Sequence, residues 1–222
     1  LFANSLRCPS NSIAYFLCIK SEGIVGVSPV LLLSTQGLHI NTAAIAGTGN
    51  RLGHKLLQDT KELLEHNFVV QFLTEKLARF GKVEVEPTKE LPFGMLTHLK
   101  TSVRAYSEFA QDIPKLISEL HPTPALGLGS GKVHWDWLKN LPEQNSRKRF
   151  GAPFGMLIPK ESGQESLFAV AIRNIQWVDN HFSVGSGCGI VRSSVFENEW
   201  NELKLKQASI YKMLGISFDD QH

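Results

Sequence analysis

The 222 residues are 42% hydrophobic and 20% charged, the balance of a globular chain with a core to bury, and the formal net charge is +2. That charge is too small to call for a nucleic-acid partner, Arg147-Lys148-Arg149 being the nearest approach to a basic run, and runs such as Val30-Leu31-Leu32-Leu33 are far too short to span a membrane. Three cysteines (Cys8, Cys18 and Cys188) with no C-x-x-C pair signal neither a disulfide framework nor a zinc site, and they suit a reducing cytoplasm. In chain order, residues 12–18, 23–27, 30–33 and 37–40 read as short strands of an antiparallel meander, with a small-residue stretch at 42–49. Residues 51–80 then change to a helical period, with Leu56, Leu63, Val70, Leu73, Leu77 and Phe80 as the apolar stripe and Gly81 as the stop. Residues 82–86 and 95–106 alternate as strands do, and 110–120 reads as a helix containing Pro114. His121-Pro122-Thr123-Pro124 has to be extended. Residues 133–141 form a short helix with two Trp, and 142–149 a polar loop. Strands are expected at 150–159, 167–178 and 182–184, and a last helix at 197–214 stopped by Gly215. Strands grouped in this way predict an α+β fold with large antiparallel sheets flanked by helices, rather than a doubly wound parallel sheet.

The chain opens on Leu1 with no charged-then-apolar leader, so no signal peptide is read and a fragment or processed product is expected. The most informative stretch is Gly185 to Lys206, where three glycines in five residues run into an acidic helix. Glycine backbone can approach an anion closely, and Glu199, Glu202 and Lys206 share one helix face. The stretch fits either a site for a small, acidic, metal-bound ligand or an ordinary turn with an i,i+4 surface pair. Glu65 borders the apolar stripe of the long helix as either a metal ligand or a solvated edge. Arg173, within FAVAIRNIQW, is either edge-exposed or a buried fork for a carboxylate. His98 lies in a similar apolar strand. Cys188, between two glycines, reads as a small buried thiol rather than a nucleophile. Gly47-Thr48-Gly49 and Gly127-Leu128-Gly129 match neither the phosphate-binding loop nor the dinucleotide fingerprint, and no G-x-S-x-G is present.

Taken together and in order, the motifs resemble the chorismate-binding enzymes. They are Gly26-Val27-Ser28-Pro29, Ile45-Ala46-Gly47-Thr48, Glu65-His66, His98-Leu99 with Thr101, His121-Pro122-Thr123-Pro124-Ala125, Ala171-Ile172-Arg173, and Gly187-Cys188-Gly189-Ile190-Val191 leading to Glu199, Glu202 and Lys206. The resemblance covers nearly all of the chain, and the HPTPA form looks like the isochorismate and salicylate synthase branch.

The resemblance implies one chorismate-binding domain over residues 1–222, lacking its N-terminal portion. It further implies Mg²⁺ held by Glu65 and Glu202, with Glu199 secondary, and hard carboxylate oxygens suit that ion. Arg173 would clamp a carboxylate of chorismate, Gly47 and Gly187 would offer backbone amides, Lys206 would add positive charge, and His98 and Ala125 would line the ring. A cytoplasmic monomer with no nucleic-acid or membrane partner is expected.

The reaction implied is the hydroxyl/water exchange that gives isochorismate, which serves menaquinone or siderophore synthesis. It needs a base to activate water and an acid to protonate the departing hydroxyl. Val30 stands where the family's S-P-E motif has its glutamate acid, and the family's lysine base falls upstream of Leu1. The segment 48–61 is shorter than in the family, and Gly127-Leu128-Gly129-Ser130-Gly131 is atypical after HPTPA. Two alternatives follow: a chorismate-binding chain that does not turn over, and a salicylate- or anthranilate-forming relative.

Overall fold

A computed structural model describes residues 8–9, 11–50, 55–128, 138, 140–161 and 163–216. Strands β1 (Ile13–Ile19) and β2 (Glu22–Ser28) pair as a hairpin, Ile13 opposite Ser28 and Ile19 opposite Glu22. The chain then turns at Ser28-Pro29. Proline has no N–H for the ladder, and the Val30 N–H goes instead to Ser28 Oγ at 3.1 Å. Strand β3 (Leu31–Gln36) belongs to the other sheet, so the expected meander is divided between two sheets.

Strand β4 (His39–Asn50) takes in both the expected strand at 37–40 and the small-residue stretch that follows. Its small side chains have a packing use, since Ala44 and Ala46 lie in one core with Val69, Leu73 and Leu77 of the helix laid across them.

That helix, α1 (Thr60–Leu77), begins later than its periodicity suggests. Asp59 caps it, its side chain accepting from Lys61 N at 2.9 Å and Glu62 N at 3.1 Å. Residues 51–54 of the expected helix lie outside the described residues. The buried stripe also differs from the expected one: it runs Glu62, His66, Val69, Leu73, Leu77, polar at its first two positions and apolar at the rest.

Strands β5 (Lys82–Val85), β6 (Lys89–Phe93) and β7 (Leu96–Tyr106) follow. Pro92 hides β6 from a sequence reading. It is tolerated because β5 and β6 lie end to end along one edge of β7. Helix α2 (Ile113–Leu120) is capped by Asp112, and Pro114 falls in its first turn, where a missing N–H leaves no hydrogen bond unmade. The helix expected at 133–141 lies mostly outside the described residues.

Strands β8 (Pro153–Lys160) and β9 (Gly163–Val170) form a hairpin. The strand expected over 167–178 is two strands: β9 ends at Val170, and β10 (Asn174–Val178) joins the other sheet beside β11 (His181–Val184). Helix α3 (Phe196–Leu214) closes on Gly215, as read.

The fold is thus α+β, with helices set against two antiparallel sheets. The smaller has the order β1-β2-β10-β11; the larger runs β5-β7-β4-β3-β9-β8, with β6 also on β7. Helices α1 and α2 share the main core with Leu32, Leu33, Ile40 and Val103 of the larger sheet. Helix α3 packs Ile210 and Leu214 on Val25 and Ile175 of the smaller one. No helix among the described residues is long and apolar enough to cross a membrane.

Candidate functional site

Strands β4 and β7 of the larger sheet and helix α1 meet at a bulge in β4. The register against β7 slips between Ala46 and Thr48, with Gly47 at φ 74°. A side chain there would be strained by that backbone and would also put its Cβ 2.9 Å from the Glu62 carbonyl oxygen. The slip frees the Thr48 amide, which donates to Glu62 Oε2 at 2.7 Å.

Behind the bulge, His66 donates from Nδ1 to the Ala46 carbonyl at 3.2 Å and accepts at Nε2 from Thr101 Oγ1 at 2.8 Å. A carbonyl only accepts, which assigns the tautomer. Thr101 in turn accepts from Thr88 at 2.8 Å. Burial holds the His66 pKa down at about 4, so the ring is neutral.

A second group of residues stands where β9 gives way to β10. Arg173 has a left-handed backbone, φ 55°, and is pinned by its neighbours. Its carbonyl accepts from Val27 N at 3.1 Å, the preceding Ile172 carbonyl accepts from Tyr15 Oη at 2.8 Å, and Asn174 Nδ2 donates to Ala171 O at 2.7 Å and to Tyr15 Oη at 2.9 Å. The turn aims the guanidinium into the interior, where Arg173 is only 6% exposed.

Its Nη2 donates to His98 Nε2 at 3.3 Å, and its Nε has no partner. Among the described residues no carboxylate forms an ion pair with it. Burial lowers its pKa to about 10, against an opposing pull from Glu202. Because the guanidinium only donates, His98 Nε2 must accept, and its Nδ1 proton points at Thr48 Oγ1 3.0 Å away. Burial, together with the Arg173 charge, holds the His98 pKa well below the usual histidine value.

The third group is acidic. Lys61 of α1 lies 2.9 Å from Glu62, 3.3 Å from Glu65 and 2.9 Å from Glu199 of α3. One turn along α3, Glu202 pairs with Lys206, whose ammonium also donates to the Gly187 carbonyl at 2.7 Å. The glycine loop crosses Glu65 closely: a Cβ on Gly189 would fall 2.3 Å from Glu65 Oε1. Burial raises the Glu65 pKa, with Lys61 opposing and Glu202 and Glu62 reinforcing. Burial likewise pushes the Cys188 thiol up to about 11, so it stays protonated and is no nucleophile.

Gly47, Glu65, His98, Arg173, Gly187, Glu199, Glu202 and Lys206 are therefore drawn together from β4, α1, β7, the β9–β10 crossover, the glycine loop and α3. Arg173 turns out to be buried and to lie between strands, not within one. Two other expected positions differ in character. Ala125 is exposed, on a turn after Pro124. Val30 packs at the β2–β3 corner against apolar neighbours that include Ala43, Ile45 and Leu91. Sequence reasoning passed over Lys61, Glu62, Tyr15 and Asn174, and gave Thr48 no role beyond its place in a motif. The only signal for the first two was helical spacing, Lys61 standing four residues before Glu65 and Glu62 four before His66.

A cavity of about 300 Å³ beside His121, Leu126, Arg147 and Phe150 includes none of the converging groups. The site is thus identified by its chemistry, not by that hollow.

Among the described residues no three His, Cys, Asp or Glu groups lie close enough to hold a metal by themselves. Magnesium, however, commonly takes one or two carboxylates and fills its shell with water and substrate oxygens. Four clustered carboxylates face two ammonium groups, and the buried Glu199 Oε2 has no hydrogen-bond partner. This donor set fits a hard divalent ion.

Known proteins carry the same arrangement of elements. A family model described as chorismate binding enzyme matches residues 3–215. Isochorismate synthase MenF of Bacillus subtilis is 30% identical over 215 residues, covering 91% of this chain and 45% of its own length. Anthranilate synthase component 1 of Bacillus pumilus is 28% identical over 224 residues, covering 91% of this chain and 41% of its own. Among solved structures, DhbC of Bacillus anthracis, described as a 2,3-dihydroxybenzoate-specific isochorismate synthase, superposes with a TM-score of 0.82 at 23% identity, covering 97% of this chain and 61% of that one. The chain spans about half the length of the curated relatives it matches. Matched over nearly its whole length, this chain belongs to the chorismate-binding enzyme family.

Proposed function

We propose that residues 1–222 form one chorismate-binding unit of the isochorismate synthase type. The observation that carries this reading is Arg173: a buried guanidinium, held in a left-handed turn, with an unpartnered Nε and no carboxylate of its own. A buried charge of this kind calls for an external anion, and a planar fork suits a carboxylate. In this reading Arg173 binds one carboxylate of chorismate, His98 is fixed in the neutral Nε2-acceptor form beside it, and Lys206 adds positive charge from α3. Gly47 and Gly187 supply backbone amides, and Ala125 contributes to the ring's wall from its turn. Glu65 and Glu202 hold Mg²⁺, with Glu199 in support. When bound, the metal supplies positive charge beside a substrate carboxylate.

Hydroxyl/water exchange also needs a proton donor at the departing hydroxyl, and at the family's acid position this chain has Val30, which cannot supply one. That residue favours a second reading, chorismate binding without turnover. One experiment separates the two. Chorismate is titrated calorimetrically with Mg²⁺ present, and the products are analysed chromatographically for the chain and for Val30→Glu. Binding with isochorismate formed by the unaltered chain supports the first reading. Binding without product by the unaltered chain supports the second, and product in Val30→Glu would place the block at Val30 alone. No binding by the chain, together with no difference in an Arg173→Met variant, removes both. Anthranilate or salicylate as the product, with or without ammonia, would reassign the reaction within the family.

A further inference from the structure

The cation at the centre of the acidic group belongs to the chain itself. Lys61 Nζ lies within 3.3 Å of Glu62, Glu65 and Glu199, so three carboxylates surround one ammonium. The three carboxylates come from α1 and α3, and only the fold places them around one point. Lys206 differs: one of its bonds goes to the Gly187 carbonyl, which ties it to the glycine loop.

Even so, the cluster is under-neutralised. Among the described residues, Glu62, Glu65, Glu199 and Glu202 form ion pairs with Lys61 and Lys206 alone, and Glu199 Oε2, on a residue 6% exposed, accepts no hydrogen bond. A buried, unpartnered anionic oxygen in a net-negative cluster marks room for more positive charge.

An ammonium and a hard dication want the same carboxylate oxygens, and they repel each other where water is scarce. Resting on the metal-dependent reading above, we propose that Lys61 is a built-in competitor of the divalent cation. It occupies the carboxylates when no metal is bound and withdraws when one binds Glu65. Its flexible four-carbon stem, with 18% of the side chain exposed, gives it a way out. Metal affinity is therefore set by a difference, and the metal-free cluster is held together by Lys61.

The test titrates MgCl₂ by calorimetry, without chorismate, into the chain and into Lys61→Met, Lys61→Gln and Glu202→Gln. The two Lys61 variants should bind Mg²⁺ at least about tenfold more tightly, the equivalent of ~1.4 kcal/mol. They should also melt at lower temperature without metal and gain more from its addition.

A second measurement needs no variant. Labelling of Lys61 by an amine reagent, mapped by mass spectrometry, should rise when Mg²⁺ is added at constant ionic strength. Unchanged or weaker Mg²⁺ binding in folded Lys61 variants, or no rise in labelling, overturns the competition while leaving the metal reading intact, provided Glu202→Gln has lost binding. If neither the chain nor any Lys61 variant binds Mg²⁺, the metal reading and this inference fall together.

Discussion

The chain crosses from one sheet to the other at two corners that touch, and the two carry opposite chemistry. At Ser28-Pro29-Val30 it leaves the smaller sheet; at Ala171-Ile172-Arg173 it returns. Hydrogen bonds join them on both sides, from Val27 N to Arg173 O at 3.1 Å and from Val170 N to Val30 O at 3.2 Å. The first corner relaxes into a proline turn with an apolar residue at its tip. The second holds a non-glycine residue at φ 55° and drives its charge inward. Such backbone typically costs on the order of 1–3 kcal/mol and persists only where the surroundings over-determine it. The pair teaches that bending between sheets does not itself require strain. The strain at Arg173 goes with the charge it aims.

Measurements that break or sharpen this contrast can be ranked by size. Removing the charge at the second corner has the largest effect: Arg173→Met should weaken chorismate binding by calorimetry about 100-fold or more, in the range for truncating a buried charged contact. Val30→Ala should change it less than about threefold, since an apolar tip forms no such contact. Equal losses would erase the distinction.

Acid comes next. His66 has its folded-state pKa held at about 4, against roughly 6.5 in an unfolded chain. Because the folded value is the lower one, protonation favours unfolding. The stability is complete above about pH 6.5 and is lost as pH falls toward 4. For His66 this amounts to about 3 kcal/mol. His98 and His121, both lowered chiefly by burial, steepen the same slope. Urea midpoints measured from pH 8 to pH 4 should trace it, and His66→Gln should flatten it.

Gly47→Ala should follow, at ~1–3 kcal/mol in chemical denaturation, because it combines a positive φ with a Cβ 2.9 Å from the Glu62 carbonyl. Smallest is Tyr15→Phe. It removes one hydroxyl that pins the Arg173 corner, for about 1 kcal/mol, and should leave chorismate affinity nearly unchanged. A large affinity loss there would mean that Tyr15 holds the guanidinium's aim as well as its backbone.

Periodicity made α1, α3 and β7 legible, because each buries one face over many residues and ends on a capping residue, a glycine or a turn. It failed where backbone pairing, rather than side-chain pattern, decides the structure. Residues 167–178 are mostly apolar on both sides of the change of sheet, so only the left-handed turn at Arg173 reveals it. Pro92 disguises β6, whose unpaired edge removes the usual objection to proline.

In the site, motif order pointed to Arg173, Glu65, Glu202 and Lys206, although their roles rest on the resemblance. Lys61 and Glu62 were opaque for a physical reason. In the first turn of an amphipathic helix they look like solvated charge. They are drawn inward because β4 offers Glu62 the Thr48 amide and α3, from far along the chain, brings Glu199 to Lys61.

The paired corners have a consequence for how this protein is made. Tyr15 hydroxyl meets the Ile172 carbonyl across 157 positions of sequence, and β2 and β3 find their partners in β10 and β9 only when nearly the whole chain is present. Contacts of such separation pay their loop-closure entropy first and are slow to form. During synthesis α1 and the β4–β7 pairing can be in place while the guanidinium corner is still missing. The ligand-binding surface is thus assembled late, and a nascent chain stopped short of residue 163 would hold most of the main core but leave β2 and β3 each with an open edge where a partner should lie.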